Sequence, residues 1–246
     1  MPGSTRIIPL GGLGEVGKNM TVIEADGEAV VIDAGLAFPR DEHLGVDLIL
    51  PDFSYLVDRD RPVRAVLLTH GHEDHVGALP YLLREGRVQE VWATRLTLGL
   101  IKSKLDEHGL LRSTELREAD PDQGAVELGP FRVEFVRVAH SIPDAVAIVL
   151  DTPGGRILHT GDYKIDHTPV DGLRTDVGRL ADARVLRLLE QLGGQSGGAE
   201  EGERGQRLAG SRKPAGHGDT ETGRDGRVGE DGEPHGACIG FAGEDA

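Results

Sequence analysis

The stretch "LLTHGHEDHVG" at residues 67–77 carries the strongest chemical signal in the sequence. It places His70, His72, Asp74 and His75 within one short run, directly after an apolar segment. Neutral imidazoles and a carboxylate are suitable ligands for zinc or a similar divalent ion. Two histidines alone are ordinary loop residues, so it is the complete spacing H-x-H-x-D-H that predicts a metal site.

Two further ligand-type residues follow apolar runs elsewhere in the chain. His140 ends "FRVEFVRVAH", and Asp162 ends "RILHTGD". Site residues commonly lie where a strand gives way to a loop, because the rigid strand positions the side chain that follows it. Each residue taken alone is equally compatible with a structural role. Together with the cluster at 70–75, they are predicted to be metal ligands.

The glycine-rich stretch "GGLGEVGKN" at residues 11–19 resembles two nucleotide-binding patterns. One is the G-x-G-x-x-G dinucleotide turn, and the other is the G-x-x-x-x-G-K phosphate-binding loop. Both need a helix directly afterwards, because its N-terminus binds the phosphate. Here "MTVIEADGEAVVIDAG" follows, which is rich in valine and isoleucine and predicts strands. We therefore expect a turn between strands and no nucleotide cofactor, although glycines also let a backbone approach a ligand closely.

The elements that must position these residues follow an α/β pattern. Strands are predicted at "TRIIPL", "MTVIEAD", "EAVVIDAG" and "RAVLLTH", and helices at "GALPYLLREG" and "RLTLGLIKSKLDEHG". Pro80 suits only the first turn of its helix, and Gly109 is placed to end the second helix. Two strand pairs are predicted over residues 125–162, with a hairpin at the Pro-Gly-Gly of 153–155.

Composition limits the functional class. The chain has 246 residues and a formal net charge of −15, which argues against binding nucleic acid through a basic surface alone. An enzyme that meets phosphates through metal ions remains compatible with this charge. Cys238 is the single cysteine, and no apolar run approaches the roughly 18 residues of a membrane span. These features predict a soluble protein of the reducing cytoplasm, without a membrane partner.

The character of the sequence changes after about residue 184. Residues 1–184 read as a folded domain, whereas residues 193–246 contain 16 glycines and only one each of leucine, valine, isoleucine and phenylalanine. Such a segment buries too little apolar surface to offset its ordering entropy. Residues 185–246 are therefore predicted to be a Gly-rich disordered tail, or else the product of a shifted reading frame.

Residues 6 to about 180 resemble the metallo-β-lactamase superfamily, specifically the ribonuclease J family of its β-CASP nuclease branch. The resemblance implies an incomplete αββα sandwich of the metallo-β-lactamase fold. The motifs that carry it are "PLGGLGEVGKN", "VVIDAG", "FPRDEHLGVDLILPDFSYL", "LTHGHEDHVGALPYLL", "TRLTLGLIKSKLDEHGLL", "HSIPDAV" and "HTGDYKIDHTPVDG".

The resemblance also implies a site with two ions, Zn²⁺ in most cases and Mn²⁺ in some. It assigns His70, His72 and His140 to one ion and Asp74 and His75 to the other, with Asp162 bridging the pair. A hydroxide shared by the ions would attack a phosphodiester, with Asp74 orienting or deprotonating the attacking water.

Further implied roles lie around this site. Asp33 would support the site from behind its ligands, and the Gly45 carbonyl and Asp47 would bind a structural Ca²⁺. Trp92 is expected in the core, the run "EEGER" in solvent, and the remaining histidines in structural roles: His43, His108, His159 and His167.

The implied function is metal-dependent cleavage of RNA, by 5′-to-3′ exonuclease and endonuclease action, in RNA maturation and decay including rRNA processing. Full-length family members are expected to be homo-oligomers. The family continues with a large inserted β-CASP domain, a final ligand histidine and a C-terminal domain, none of which follows here. We therefore expect uncovered apolar faces, low stability and impaired activity. The alternatives are a non-catalytic metal-binding fragment, or another hydrolase of this fold that cleaves small esters.

Overall fold

Alternating and continuous apolar runs pair into two sheets. The computed structural model describes residues 3–40, 43–183 and 239–242. The first sheet contains six strands in chain order: β1 (Thr5–Gly11), β2 (Met20–Ala25), β3 (Glu28–Ile32), β4 (Val63–Leu67), β5 (Val88–Ala93) and β6 (Leu116–Glu118). The strands β1 to β3 are antiparallel, whereas β3 to β6 run parallel.

The second sheet is antiparallel throughout. Its strands are β7 (Val126–Leu128), β8 (Phe131–Arg137), β9 (Val146–Thr152), β10 (Gly155–His159) and β11 (Ile239–Ala242), in the spatial order β11-β10-β9-β8-β7. Thr152 pairs with Gly155, which confirms the hairpin predicted at Pro-Gly-Gly. Of the predicted tail at 185–246 the structure describes only β11, so the rest of that prediction lies outside the described residues.

The helices cover the outer faces of the sheets. They are α1 (Ser54–Val57), α2 (Glu73–Val76), α3 (Leu79–Glu85), α4 (Arg95–Glu107) and α5 (Val177–Asp182), with a 3-10 turn at Leu111–Ser113. Pro80 lies in the first turn of α3, and Gly109 takes a φ of +70° just after α4, as the sequence predicts. The short helix α2, inside the histidine-rich stretch, is one that sequence reasoning did not predict.

Apolar side chains form a core between the two sheets. Ile32 and Leu67 of the first sheet belong to the same buried cluster as Phe135 and Ile148 of the second. Leu79 of α3 and Ile101 of α4 belong to another buried cluster on the outer face of the first sheet. This arrangement confirms the predicted αββα layers.

The outer face of the second sheet is covered, which corrects one expectation. Its apolar residues are 0 to 4 % exposed, and they share a buried cluster with Ala183 just after α5: Val136, Val138, Ala147, Val149 and Leu158. The expectation that an incomplete sandwich leaves its sheet faces bare is therefore wrong for the described strands. The exposed apolar side chains lie mainly in connecting segments, as Phe38 does.

Within the described residues, no helix has the length and apolar character that crossing a membrane requires.

Candidate metal centre

Three chain segments converge at the carboxyl ends of their strands. The strands β8 and β10 both run antiparallel to β9, so their carboxyl ends lie at the same edge of the second sheet. The end of β4 meets that edge from the first sheet. The six predicted ligands lie on these segments: His70 after β4, His72 before α2, Asp74 and His75 within α2, His140 between β8 and β9, and Asp162 after β10.

Three imidazoles form the first group of donor atoms. His70 Nε2 lies 3.0 Å from His72 Nδ1. His140 Nε2 lies 3.3 Å from the same atom. One nitrogen from each ring lies within 4.8 Å of the other two, which is close enough for a single ion to contact all three.

A second group shares a member with the first. His70, His75 and Asp162 also offer donor atoms within 4.8 Å of one another. Asp162 Oδ2 lies 3.6 Å from His75 Nε2 and 3.7 Å from His140 Nε2. Asp162 therefore lies between the two groups, and the structure brings all six predicted residues together. The division of ligands between two ions stays a prediction.

Asp74 stands at the edge of the second group. Its Oδ2 atom lies 3.6 Å from His75 Nε2, and its side chain is 30 % exposed, whereas the His75 side chain is fully buried. The six residues include two carboxylates, and that of Asp74 is the more exposed to solvent. A group that handles a solvent proton needs both an atom that accepts the proton and access from solvent.

Asp33 orients the buried histidines. It directly follows β3 in the left-handed conformation, with a φ of +60°, and is completely buried. His75 Nδ1 donates to Asp33 Oδ2 at 2.7 Å. The Thr69 hydroxyl donates to Asp33 Oδ2 at 2.9 Å and so accepts from His70 Nδ1 at 3.0 Å. Asp33 therefore turns Nε2 of both histidines toward the site, directly for one and through Thr69 for the other.

Burial and charge act differently on the two histidines. The pKa of His70 falls far below its usual range because of burial and three neighbouring imidazoles, so this ring is neutral. Burial also lowers the pKa of His75, but the Asp33 charge, together with the nearby Asp162 carboxylate and the hydrogen bond to Asp33, outweighs it and raises the pKa to about 10. A metal that binds at His75 Nε2 must therefore displace a proton.

The donor set fits a divalent metal. Buried imidazole nitrogens and carboxylate oxygens are the ligands that zinc and similar ions take in proteins. The hydrogen-bonded partner behind each buried histidine is a further feature of such sites. These residues are therefore compatible with metal binding.

Asn19 is a residue of this site that sequence reasoning missed. Its side-chain amide lies 3.1 Å from His75 Nε2. The only signal in the sequence that this segment lies near the site was the run of glycines before Asn19, since glycines let the backbone approach a ligand closely. The prediction that a strand follows these glycines is confirmed, because β2 begins at Met20.

The other predicted residues belong to neither ligand group. Gly45 and Asp47 are exposed and belong to neither group, so the calcium site stays a prediction. His43 and His167 are also exposed, whereas buried His159 accepts a hydrogen bond from the Gly161 amide.

Trp92 packs on the inter-sheet core as expected, stacked on Phe135 at 6.4 Å between ring centroids. His108 lies against Tyr81 on the outer side of the first sheet.

Comparison with known proteins agrees with this geometry. A family described as the metallo-beta-lactamase superfamily matches residues 13–208. Ribonuclease J of Helicobacter pylori is 48% identical over 178 residues, which cover 72% of this chain and 26% of that protein. Ribonuclease J2 of Bacillus subtilis is 44% identical over 189 residues, which cover 76% of this chain and 34% of that protein.

A solved structure supports the fold. A protein of unknown function from Enterococcus faecalis V583 aligns with a TM-score of 0.53 and 20% identity, covering 68% of this chain and 45% of that one. The chain spans about a quarter to a third of the length of the curated relatives named above. The resemblance drawn from the motifs is thus confirmed over the matched region. The chain belongs to the metallo-β-lactamase superfamily.

Proposed function

We propose that this chain carries the metal site of a ribonuclease of the ribonuclease J type, which hydrolyses RNA phosphodiesters. The observation that carries the proposal is the convergence of six ligand-type side chains near the carboxyl ends of β4, β8 and β10. The names of the relatives supply the substrate class. Exonuclease and endonuclease action, rRNA processing and a cytoplasmic location form part of the same proposal.

The metal assignment is also part of the proposal. His70, His72 and His140 would hold one Zn²⁺ or Mn²⁺, and Asp74 and His75 a second, with Asp162 between them. When bound, such ions polarise a phosphodiester and lower the pKa of water. A structural Ca²⁺ at Gly45 and Asp47 would lie apart from this chemistry.

The chain's own residues have distinct tasks in this proposal. Asp33 keeps His75 in the tautomer that presents Nε2 to the site, and it does the same for His70 through Thr69. Asp74, the accessible carboxylate, orients the attacking water and accepts its proton. The acidic net charge of −15 agrees with substrate contact through bound cations better than through a basic surface.

The test is digestion of a 5′-monophosphorylated RNA by the 246-residue chain with Zn²⁺ or Mn²⁺. We expect Asp74→Ala to lower the cleavage rate by about 100-fold or more, since it removes a general base. Asp106→Ala is the matched control, because Asp106 is an exposed aspartate on α4, away from the ligand groups.

Two outcomes would overturn the proposal. One is a folded, metal-loaded chain that leaves RNA intact, with or without cleavage of a small thioester or lactone. The other is RNA cleavage that survives in the Asp74→Ala variant, which would point to a contaminating nuclease.

A further inference from the structure

We propose that Asn19 is a positioning residue that holds the Asp74 carboxylate in its working orientation. The proposal rests on the proposed function above and deepens it. Asn19 Nδ2 donates to the Asp74 carbonyl oxygen at 3.1 Å and lies 3.4 Å from Asp74 Oδ2. The same nitrogen lies 3.1 Å from His75 Nε2. One amide group therefore touches two neighbouring predicted ligands.

The backbone holds Asn19 in place independently of its side chain. Its amide N–H donates to the Asp74 carbonyl at 3.1 Å, and its own carbonyl accepts from Gly35 at 2.9 Å. Asn19 thus links the segment after β3 to helix α2. Because these bonds survive any change of side chain, the loop can stay attached to α2 when the carboxamide is removed.

The glycine-rich stretch makes room for this side chain. A Cβ atom on Gly12 would lie 2.4 Å from Asn19 Oδ1, and one on Gly11 would lie 2.2 Å from the Lys18 carbonyl oxygen. Such distances are shorter than non-bonded contacts permit, so only glycine lets the chain fold over Asn19. Gly12 also takes a φ of +84°, which favours glycine. The stretch that resembles a nucleotide-binding pattern therefore seats a side chain against the metal site.

The chemistry of a carboxamide suits the position. Its NH₂ group supplies two protons and no charge, in a site that already contains the carboxylates of Asp33, Asp74 and Asp162. His75 Nε2 has one lone pair, which a metal ligand gives to the ion. The amide proton not used by the Asp74 carbonyl then has the Asp74 carboxylate as its partner. Asp74 is partly exposed, so this bond limits the orientations its carboxylate can take.

The first experiment uses Co²⁺ alone, whose visible absorption reports its coordination. We expect Asn19→Ala to lower the Co²⁺ affinity of the full chain by about 10- to 100-fold, the usual effect of losing a residue that orients metal ligands. The absorption of the bound ion should change as well. A residue that served only to stabilise the loop would leave that spectrum unaltered.

A pair of glycine variants provides the matched control. Gly12→Ala should reproduce the loss, because its methyl group displaces the Asn19 side chain. Gly14 has a similar φ of +70° but faces open space, so Gly14→Ala introduces the same backbone strain without that contact. Its Co²⁺ affinity and spectrum should match those of the wild type. If Asn19→Ala fails to fold, Asn19→Leu replaces it in the same Co²⁺ measurements. Leucine has a similar side-chain shape but no hydrogen-bond donor.

The outcomes separate this inference from the proposed function. Wild-type affinity and spectrum in folded Asn19→Ala or Asn19→Leu would overturn it, as would equal losses in Gly12→Ala and Gly14→Ala. With RNA as substrate, Asn19→Ala should lower kcat about 10- to 100-fold and leave KM within about twofold. A wild-type chain that binds Co²⁺ without cutting RNA would overturn the proposed function and leave the Co²⁺ comparison valid.

Discussion

At the scale of single residues, Asp33 has the widest influence on the candidate site. It accepts hydrogen bonds from the Thr69 amide at 2.8 Å, from the Thr69 hydroxyl and from His75. Its left-handed backbone is uncommon for a residue other than glycine and is held by the surrounding structure. The arrangement makes one buried carboxylate responsible for the orientation of two histidines.

Replacing that carboxylate should weaken metal binding. We expect Asp33→Asn to lower the affinity for Zn²⁺ by about 10- to 100-fold, because the amide cannot accept all of these bonds. Calorimetric titration of the full chain measures the effect, with Asp60→Asn as the control at an exposed aspartate. Unchanged affinity in folded Asp33→Asn would show that His70 and His75 keep their orientation without this charge.

At the scale of elements, the segment after β3 lies directly against α2. Ala34 donates to the His75 carbonyl at 2.7 Å, and Leu36 donates to the Glu73 carbonyl at 3.1 Å. A Cβ atom on Gly35 would lie only 1.5 Å from the Asp74 carbonyl oxygen. Backbone contact at this distance leaves no side chain that could move aside, so the segment after β3 can lie against α2 only if position 35 is glycine.

A pair of alanine substitutions tests this contact. Gly35→Ala should lower the free energy of unfolding by about 3 kcal/mol, since the added methyl group forces two backbone segments apart. Gly99→Ala, in the interior of α4 with open space around it, should raise that free energy by about 0.5–1 kcal/mol. Urea denaturation of the metal-free chain measures both. A neutral Gly35→Ala would mean that the segment after β3 and α2 do not approach so closely.

At the scale of the molecule, the site depends on the contact between the two sheets. His70, His72, Asp74 and His75 follow the first sheet, whereas the other two predicted ligands, His140 and Asp162, follow strands of the second. Phe135 lies fully within the core that joins the sheets. The stability of that core therefore determines whether the six residues stay together.

Truncation of this core should cause a large loss of stability. We expect Phe135→Ala to lower the free energy of unfolding by about 3–5 kcal/mol, through lost burial and a cavity. Phe38→Ala, at a side chain 65 % exposed, should change it by less than about 0.5 kcal/mol. Trp92 is the chain's single tryptophan and stacks on Phe135, so its fluorescence reports contact between the sheets. Fluorescence and circular dichroism that fail to coincide during urea unfolding would contradict a shared core.

Local sequence was sufficient for most of the elements and for the ligand types. Apolar periodicity located β1 to β4, α3 and α4, because burial on one face imposes that periodicity. The run from His70 to His75 indicated a metal site, since its ligand-type residues are close together along the chain. The helix α2 was missed because it is only one turn long and contains no apolar repeat.

Tertiary structure alone decided which atoms meet. Asn19 and Asp74 are far apart along the chain, and their contact depends on glycines whose value lies in the space they leave. Burial and neighbouring imidazoles, which no local pattern encodes, keep His70 neutral. The sequence thus specified which side chains could bind a metal, because donor chemistry belongs to the residue type. The fold specified their distances and protonation, because both depend on groups brought together from remote parts of the chain.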